Sequence, residues 1–197
     1  SPENGGDGEY DKYNFILTKI KDWGFDNFTT IIAEDKNAKN KQRPTLIATL
    51  KGQKSDKSFW IITHTDVVPS GDLDLWESDP FIIKIDGDKI YGRGVEDNQQ
   101  SLVSSLVAAK ALIDTHSKPL YDVNLMFVAD EEVGSEYGLK YIINKSNPFD
   151  INDLIIIPDT GDSTGSTVEI AEKSIMFLEF TIIGKQCHGS IPEKGIN

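Results

Sequence analysis

The sequence predicts an α/β domain built on a mixed, mostly parallel sheet sandwiched by helices, and three observations carry that expectation. Short apolar, strand-like runs alternate with stretches of helical periodicity, an order that places helices on both faces of one sheet. The runs end in His, Asp or Glu, where open α/β sheets gather their functional groups. After Gly165 the alternation stops, and two strand-like runs follow one another with no helix between them.

Each element has its own signal. Tyr13, Ile16, Leu17 and Ile20 mark the apolar stripe of a helix that stops near Trp23-Gly24, glycine being common just past a helix end. Residues 45–50 and 59–63 read as strands separated by a polar turn over 52–57. Residues 81–85 and 89–91 flank Asp86-Gly87, a hairpin signal because glycine supplies positive φ. Across 99–115, Leu102, Leu106, Ala109 and Ile113 recur at helical spacing beside Val103 and Val107. Residues 123–129 read as a buried strand, 135–146 as a helix, and 154–158 as a strand closed by proline. The runs 167–171 and 175–183 come next, so residues 1–173 are expected to form one domain and 174–197 the start of a second, of which only the first strand is present.

The 197 residues carry 20 Lys+Arg against 32 Asp+Glu, a net charge of −12. A chain of that sign has no cationic face to neutralise phosphates, which argues against nucleic acid as a partner. No apolar run approaches the ~18 to 20 residues that span a bilayer. The start, Ser1-Pro2-Glu3-Asn4-Gly5-Gly6, has neither a basic nor an apolar leader segment. The chain therefore reads as non-membrane, non-secreted and cytoplasmic. Its single cysteine, Cys187, excludes an internal disulfide and a multi-cysteine zinc site, so any metal must be held by oxygen and imidazole.

Four strand ends deliver such ligands. In His64-Thr65-Asp66, side chains two apart on extended backbone share a side, so the carboxylate can accept the second imidazole N–H. Asp97 follows the hairpin, Glu131-Glu132 follows the buried strand, and Asp159 follows Pro158. Adjacent acids can divide their tasks, one binding metal while the other handles protons. Singly, each has a bland alternative: a surface histidine beside a solvated Asp, acids at a helix start, a helix N-cap at Asp97, a turn residue at Asp159. Jointly those alternatives require unrelated coincidences at the same edge of one sheet. Cys187 beside His188 is not a thiol dyad, because neighbours on a strand point to opposite faces.

The order His64-x-Asp66, Trp76-x-x-x-Pro80-Phe81, Asp86-Gly87, Tyr91-Gly92-Arg93-Gly94-x-x-Asp97, Glu131-Glu132, Gly134-Ser135 and Asp159 resembles the family of aminoacylase, acetylornithine deacetylase, succinyl-diaminopimelate desuccinylase and glutamate carboxypeptidase. The resemblance covers residues 60–197, and the stretch from Gly184 through Cys187-His188-Gly189-Ser190 to Asn197 is similar to the opening of that family's lid domain. It implies a zinc exopeptidase-like catalytic domain with two zinc ions, for which cobalt or manganese would substitute. Asp97 would bridge them, with His64 and Asp159 completing one metal and Glu132 binding the other. Asp66 would orient His64, and Glu131 would be the general base. His188 would help hold the oxyanion, often in the partner subunit of a homodimer formed through the lid. The Asp97–Asn98 peptide would be cis. The implied reaction is hydrolysis of a linear amide, deacylating an N-acyl amino acid, with a dipeptidase or aminopeptidase acting on short peptides as the alternative. An acidic binding module centred on Asp72, Asp74 and Glu77 is the reading from another class, but that loop fails the calcium-hand pattern.

Two departures stand out. The family pattern continues Asp-x-Lys-Gly where this chain has Asp97-Asn98-Gln99-Gln100. The family's second metal also takes a histidine from near the end of a longer chain, and neither His116 nor His188 is placed to replace it. The chain is thus expected to act as a fragment, incomplete at both ends, that binds one metal through His64, Asp97 and Asp159, holds a second weakly and turns over little substrate.

Overall fold

Continuous burial along the central strands sets the architecture. The computed structural model describes residues 1–196 apart from 163, 174, 175, 177 and 182, and it divides the chain into two units, Ser1–Thr160 and Gly161–Asn197. The first unit holds strands β1 (Asn27–Glu34), β2 (Gln42–Leu50), β3 (Lys54–His64), β4 (Lys84–Asp86), β5 (Lys89–Tyr91), β6 (Tyr121–Val128) and β7 (Leu154–Ile156). Its helices are α1 (Tyr10–Asp22), α2 (Ser101–Asp114) and α3 (Leu139–Lys145).

The main sheet runs β1-β2-β6-β3-β7, with β1–β2 and β2–β6 antiparallel and β6–β3 and β3–β7 parallel. It is mixed, as expected. Because successive side chains on a strand face opposite ways, Leu46, Ala48, Leu125 and Phe127 join Ile16 and Ile20 of α1 and Leu102, Leu106 and Ala109 of α2 in one core. Ile47, Trp60, Ile62, Met126 and Val128 form a second core on the opposite face with Ile142 of α3. β6 is covered on both faces, which explains its continuous apolar run. Completely burying Leu125 or Ile142 contributes roughly 1.5 to 3 kcal/mol each.

Several elements differ from their sequence expectations; the turn expected over 52–57 is largely the start of β3, and the strand expected over 81–85 begins only at Lys84. β1 carried no clear signal, because it is an edge strand on which Phe28 and Ile32 remain exposed. The helix expected over 135–146 starts only at Leu139: Gly134 and Ser135 take positive φ (108° and 61°), and the N–H groups of Ser135 and Tyr137 bond to Asp130 instead of to helix carbonyls. Residues 167–171 form no strand, and the run 175–183 falls partly on residues outside the described ones. The second unit contains a bridge between Lys185 and Ile196 and a short turn, Pro192–Lys194. Among the described residues no helix is long and apolar enough to cross a membrane.

Arg43 is a completely buried cation. Arg43 of β2 donates from Nε and Nη2 to the two oxygens of Glu9 (2.6 and 2.7 Å), from Nη2 to Asp130 (2.8 Å) and from Nη1 to Asp35 (3.1 Å) and, more weakly, to Glu3 (3.3 Å). Burial opposes its charge, yet Glu9 and then Asp130 prevail and push the guanidinium pKa above its ordinary value.

Candidate metal centre

The parallel strands β3, β6 and β7 point their carboxyl ends the same way, and the ligands predicted from sequence stand there. His64 is the last residue of β3 and is buried. Its Nε2 lies 2.7 Å from Asp97 Oδ1 and 3.5 Å from Asp159 Oδ1. One ligand atom from each of His64, Asp97 and Asp159 lies within 4.8 Å of the others, and this is the cluster with metal-like spacing found among the described residues.

Asp66 sits beneath. The imidazole Nδ1 lies 3.1 Å from the Asp66 main-chain oxygen and 3.5 Å from its carboxylate. That carboxylate accepts the backbone N–H groups of Glu131 (3.0 Å) and Glu132 (3.2 Å). Asp66 thus joins the end of β3 to the acidic turn after β6. Its pKa is held below the usual carboxylate range: burial raises it, but His64 and the two N–H donors prevail.

The loop carrying Asp97 is framed by the motif residues around it. The Trp76 indole N–H and an Arg93 N–H both donate to Ser70 O (2.9 and 3.4 Å), and the Arg93 guanidinium lies over the Trp76 ring at 5.3 Å. The contacts of Arg93 therefore brace the loop. Gly94 has φ +78°, and a Cβ there would stand 2.5 Å from Val67, so the turn requires glycine. The Asp97–Asn98 peptide is cis. Asn98, buried, donates to Pro158 O (3.3 Å) and to Asp159 Oδ1, holding the third residue of the cluster.

Electrostatically the centre attracts positive charge. Burial depresses the His64 pKa, but Asp159, Asp66 and Asp97 overcome it and raise it to about 11. The same carboxylates would receive a divalent cation in place of that proton, and oxygen plus imidazole suits zinc, manganese or cobalt. The Glu131 pKa is raised by partial burial and by Asp159, Glu132 and Asp66, with His64 opposing. That of Glu132 is raised by burial and by Asp97. The Glu132 carboxylate is not part of the three-residue cluster, and among the described residues its Oε1 is buried with no hydrogen-bond partner. A small cavity of about 110 Å3 beside His64 is lined by Asn98, Glu131, Ser135, Ile157 and Asp159. His188 belongs to the second unit, where its exposed ring shares a hydrogen bond with Ser190 Oγ (2.8 Å).

Sequence reasoning overlooked three supports of the centre. Lys12 of α1 donates to Thr65 O at 2.7 Å, between His64 and Asp66, and burial lowers its pKa to about 8. Asn98 entered the sequence reading only through the expected cis peptide with Asp97, although a polar residue directly after Asp97 was its available signal. Arg43 and Asp130 are 87 residues apart, and no local pattern links them.

The chain is similar to an uncharacterised metallohydrolase of Methanococcus maripaludis, 44% identical across 100% of this chain and 49% of the relative. It is similar to a succinyl-diaminopimelate desuccinylase of Dechloromonas aromatica, 32% identical across 71% of this chain and 38% of the relative. Among solved structures, an M20 family metallo-carboxypeptidase from Sulfolobus solfataricus superposes with a TM-score of 0.64 at 26% identity, over 80% of this chain and 34% of that one. The chain spans about half the length of the first curated relatives it matches. The model of peptidase family M20/M25/M40 matches residues 60–182, a stretch that begins on the strand carrying His64 and takes in Asp97, Glu131, Glu132 and Asp159; the chain belongs to that family.

Proposed function

We propose that the whole protein is a two-metal hydrolase of linear amides that deacylates an N-acyl amino acid in the cytosol. The observation that carries this reading is the convergence of His64, Asp97 and Asp159 within 4.8 Å at the carboxyl ends of parallel strands. His64 and Asp159 would hold one zinc, Asp97 would reach both, and Glu132, with its buried unpartnered Oε1, would hold the other. Cobalt or manganese would substitute. When bound, the cations polarise the amide carbonyl and lower the pKa of water.

The chain's own groups perform the rest. Asp66 orients the His64 ring from beneath and fixes the Glu131–Glu132 turn through its two N–H contacts. Glu131, its pKa raised by partial burial and neighbouring carboxylates, accepts the proton of the attacking water and returns it to the departing amine nitrogen. His188, on the start of a lid spanning 174–197, would donate to the oxyanion, in trans in a homodimer. Peptide hydrolysis is a second reading, favoured by the likeness to the Sulfolobus carboxypeptidase.

Zinc titration by calorimetry, with hydrolysis of N-acetyl and N-succinyl amino acids and dipeptides by the whole protein, tests this. Zinc binding and acyl release are expected. Hydrolysis that survives Glu131→Gln, or no zinc binding by the parent, would overturn it, and preference for dipeptides would select the second reading.

A further inference from the structure

Glu131 and Glu132 sit in a nine-residue stretch, 130–138, between β6 and α3, and that stretch is fastened at both ends by buried groups. At its start, Asp130 takes φ +67°, a conformation that Asp tolerates better than most residues. Its Oδ1 accepts Arg43 Nη2 at 2.8 Å, its Oδ2 accepts the Tyr137 N–H at 2.9 Å, and its carbonyl accepts the Ser135 N–H at 2.6 Å. The Tyr137 ring lies over the Arg43 guanidinium at 5.3 Å. At the far end a Cβ on Gly138 would stand 1.9 Å from Ala129 O, so the loop closes directly onto the strand it left. Arg43 is itself immobilised by the forked contact with Glu9.

Buried ion groups are weak evidence for stability, since apolar replacements of similar volume are often neutral. What distinguishes this one is geometry: a single guanidinium ties the β2 scaffold to the residue immediately before the two acids. We propose that Arg43, acting through Asp130, is the positioning residue for Glu131 and Glu132. It sets where the turn meets Asp66 and hence where the Glu131 carboxylate stands. The inference rests on the role proposed above for Glu131, but its geometric half is measurable without turnover.

The discriminating comparison is Asp130→Asn against Asp35→Asn in the whole protein. Each removes one buried acid from Arg43, and only Asp130 touches the loop. An asparagine at 130 in the same orientation would set an NH2 donor against either Arg43 or the Tyr137 N–H. Amide exchange read by NMR is expected to speed up at least about tenfold at Glu131, Glu132 and Tyr137 in Asp130→Asn and to be unchanged there in Asp35→Asn. With an N-acyl amino acid, kcat is expected to fall at least about tenfold in Asp130→Asn, with KM held within about threefold, since small misplacement of a reacting group costs rate rather than binding. If Asp130→Asn does not fold, Arg43→Lys, which keeps the charge but loses the fork, is expected to show the same pair of effects. Equal effects from both asparagine variants, or parental exchange and kcat in Asp130→Asn, would overturn the proposal. A parent without hydrolysis would sink the proposed function alone, and the exchange data would still decide this one.

Discussion

Two groups of acids lie close to the same strand ends, and they are neutralised differently. Glu9, Asp35 and Asp130 are nearly inaccessible to solvent and share Arg43, a permanent cation with five donors in a rigid fork. Asp66, Asp97 and Asp159 surround His64, whose positive charge is a proton that can leave. The first group is closed: donor and acceptors satisfy one another inside the chain. In the second, Glu132 Oε1 is buried without a partner among the described residues and Asp97 is largely exposed, so acceptors exceed the donors that those residues supply. One group builds the scaffold, and under the proposed function the other exchanges a proton for an imported cation.

That contrast can be broken at either pole. The largest effect is expected from Glu131→Gln, which should lower hydrolysis by the whole protein about 10²- to 10⁴-fold while its denaturant midpoint stays close to the parent's. A stability loss comparable to the loss of rate would show that the acidic turn is scaffold after all. Next, Arg43→Met should lower the unfolding free energy by about 3 to 5 kcal/mol, read by urea denaturation, because it leaves buried carboxylates uncompensated. A neutral result would erase the distinction between the two groups.

Zinc at about a hundredfold excess over its dissociation constant should raise stability by about 2.7 kcal/mol, seen as a shift in the thermal midpoint. The shift should largely vanish in Asp159→Asn, which removes a ligand but keeps the packing around Asn98. The smallest effect concerns pH. In chelator-treated protein, the stability that His64 contributes through its pKa of about 11, against an ordinary 6.5, is fully present below pH 6.5 and is lost as pH rises toward 11. Lys12, lowered from 10.5 to about 8, acts in the opposite sense between those values, because there the unfolded chain binds the extra proton. Between pH 6.5 and 8 the unfolding free energy should therefore fall with rising pH by at most on the order of 1 kcal/mol per unit, and His64→Gln should flatten that slope.

Much of the fold was legible because its signals are local. The continuous apolar run of β6, the helical stripe of α2 and the Asp86-Gly87 hairpin can be recognised within about ten residues, and each forms near its expected place. The strand ends at His64 and Val128 were legible for the same reason. β1 was not, because an edge strand with Phe28 and Ile32 exposed has no strong alternation. The start of α3 was misplaced because Asp130 captures the N–H groups that would have begun the helix.

The residue order thus settled which side chains would leave the strand ends, since alternation and turn chemistry are properties of a few consecutive residues. It also narrowed the candidate metal ligands to imidazole and carboxylate, with one cysteine in the chain. Only the tertiary structure decided that Arg43 would meet Asp130, that Lys12 would reach Thr65, and that Asn98 would hold Asp159. Those pairs lie 87, 53 and 61 residues apart. Contacts at such separations are chosen by strand order and by the requirement that buried charge find a partner, and neither leaves a periodic trace in the sequence.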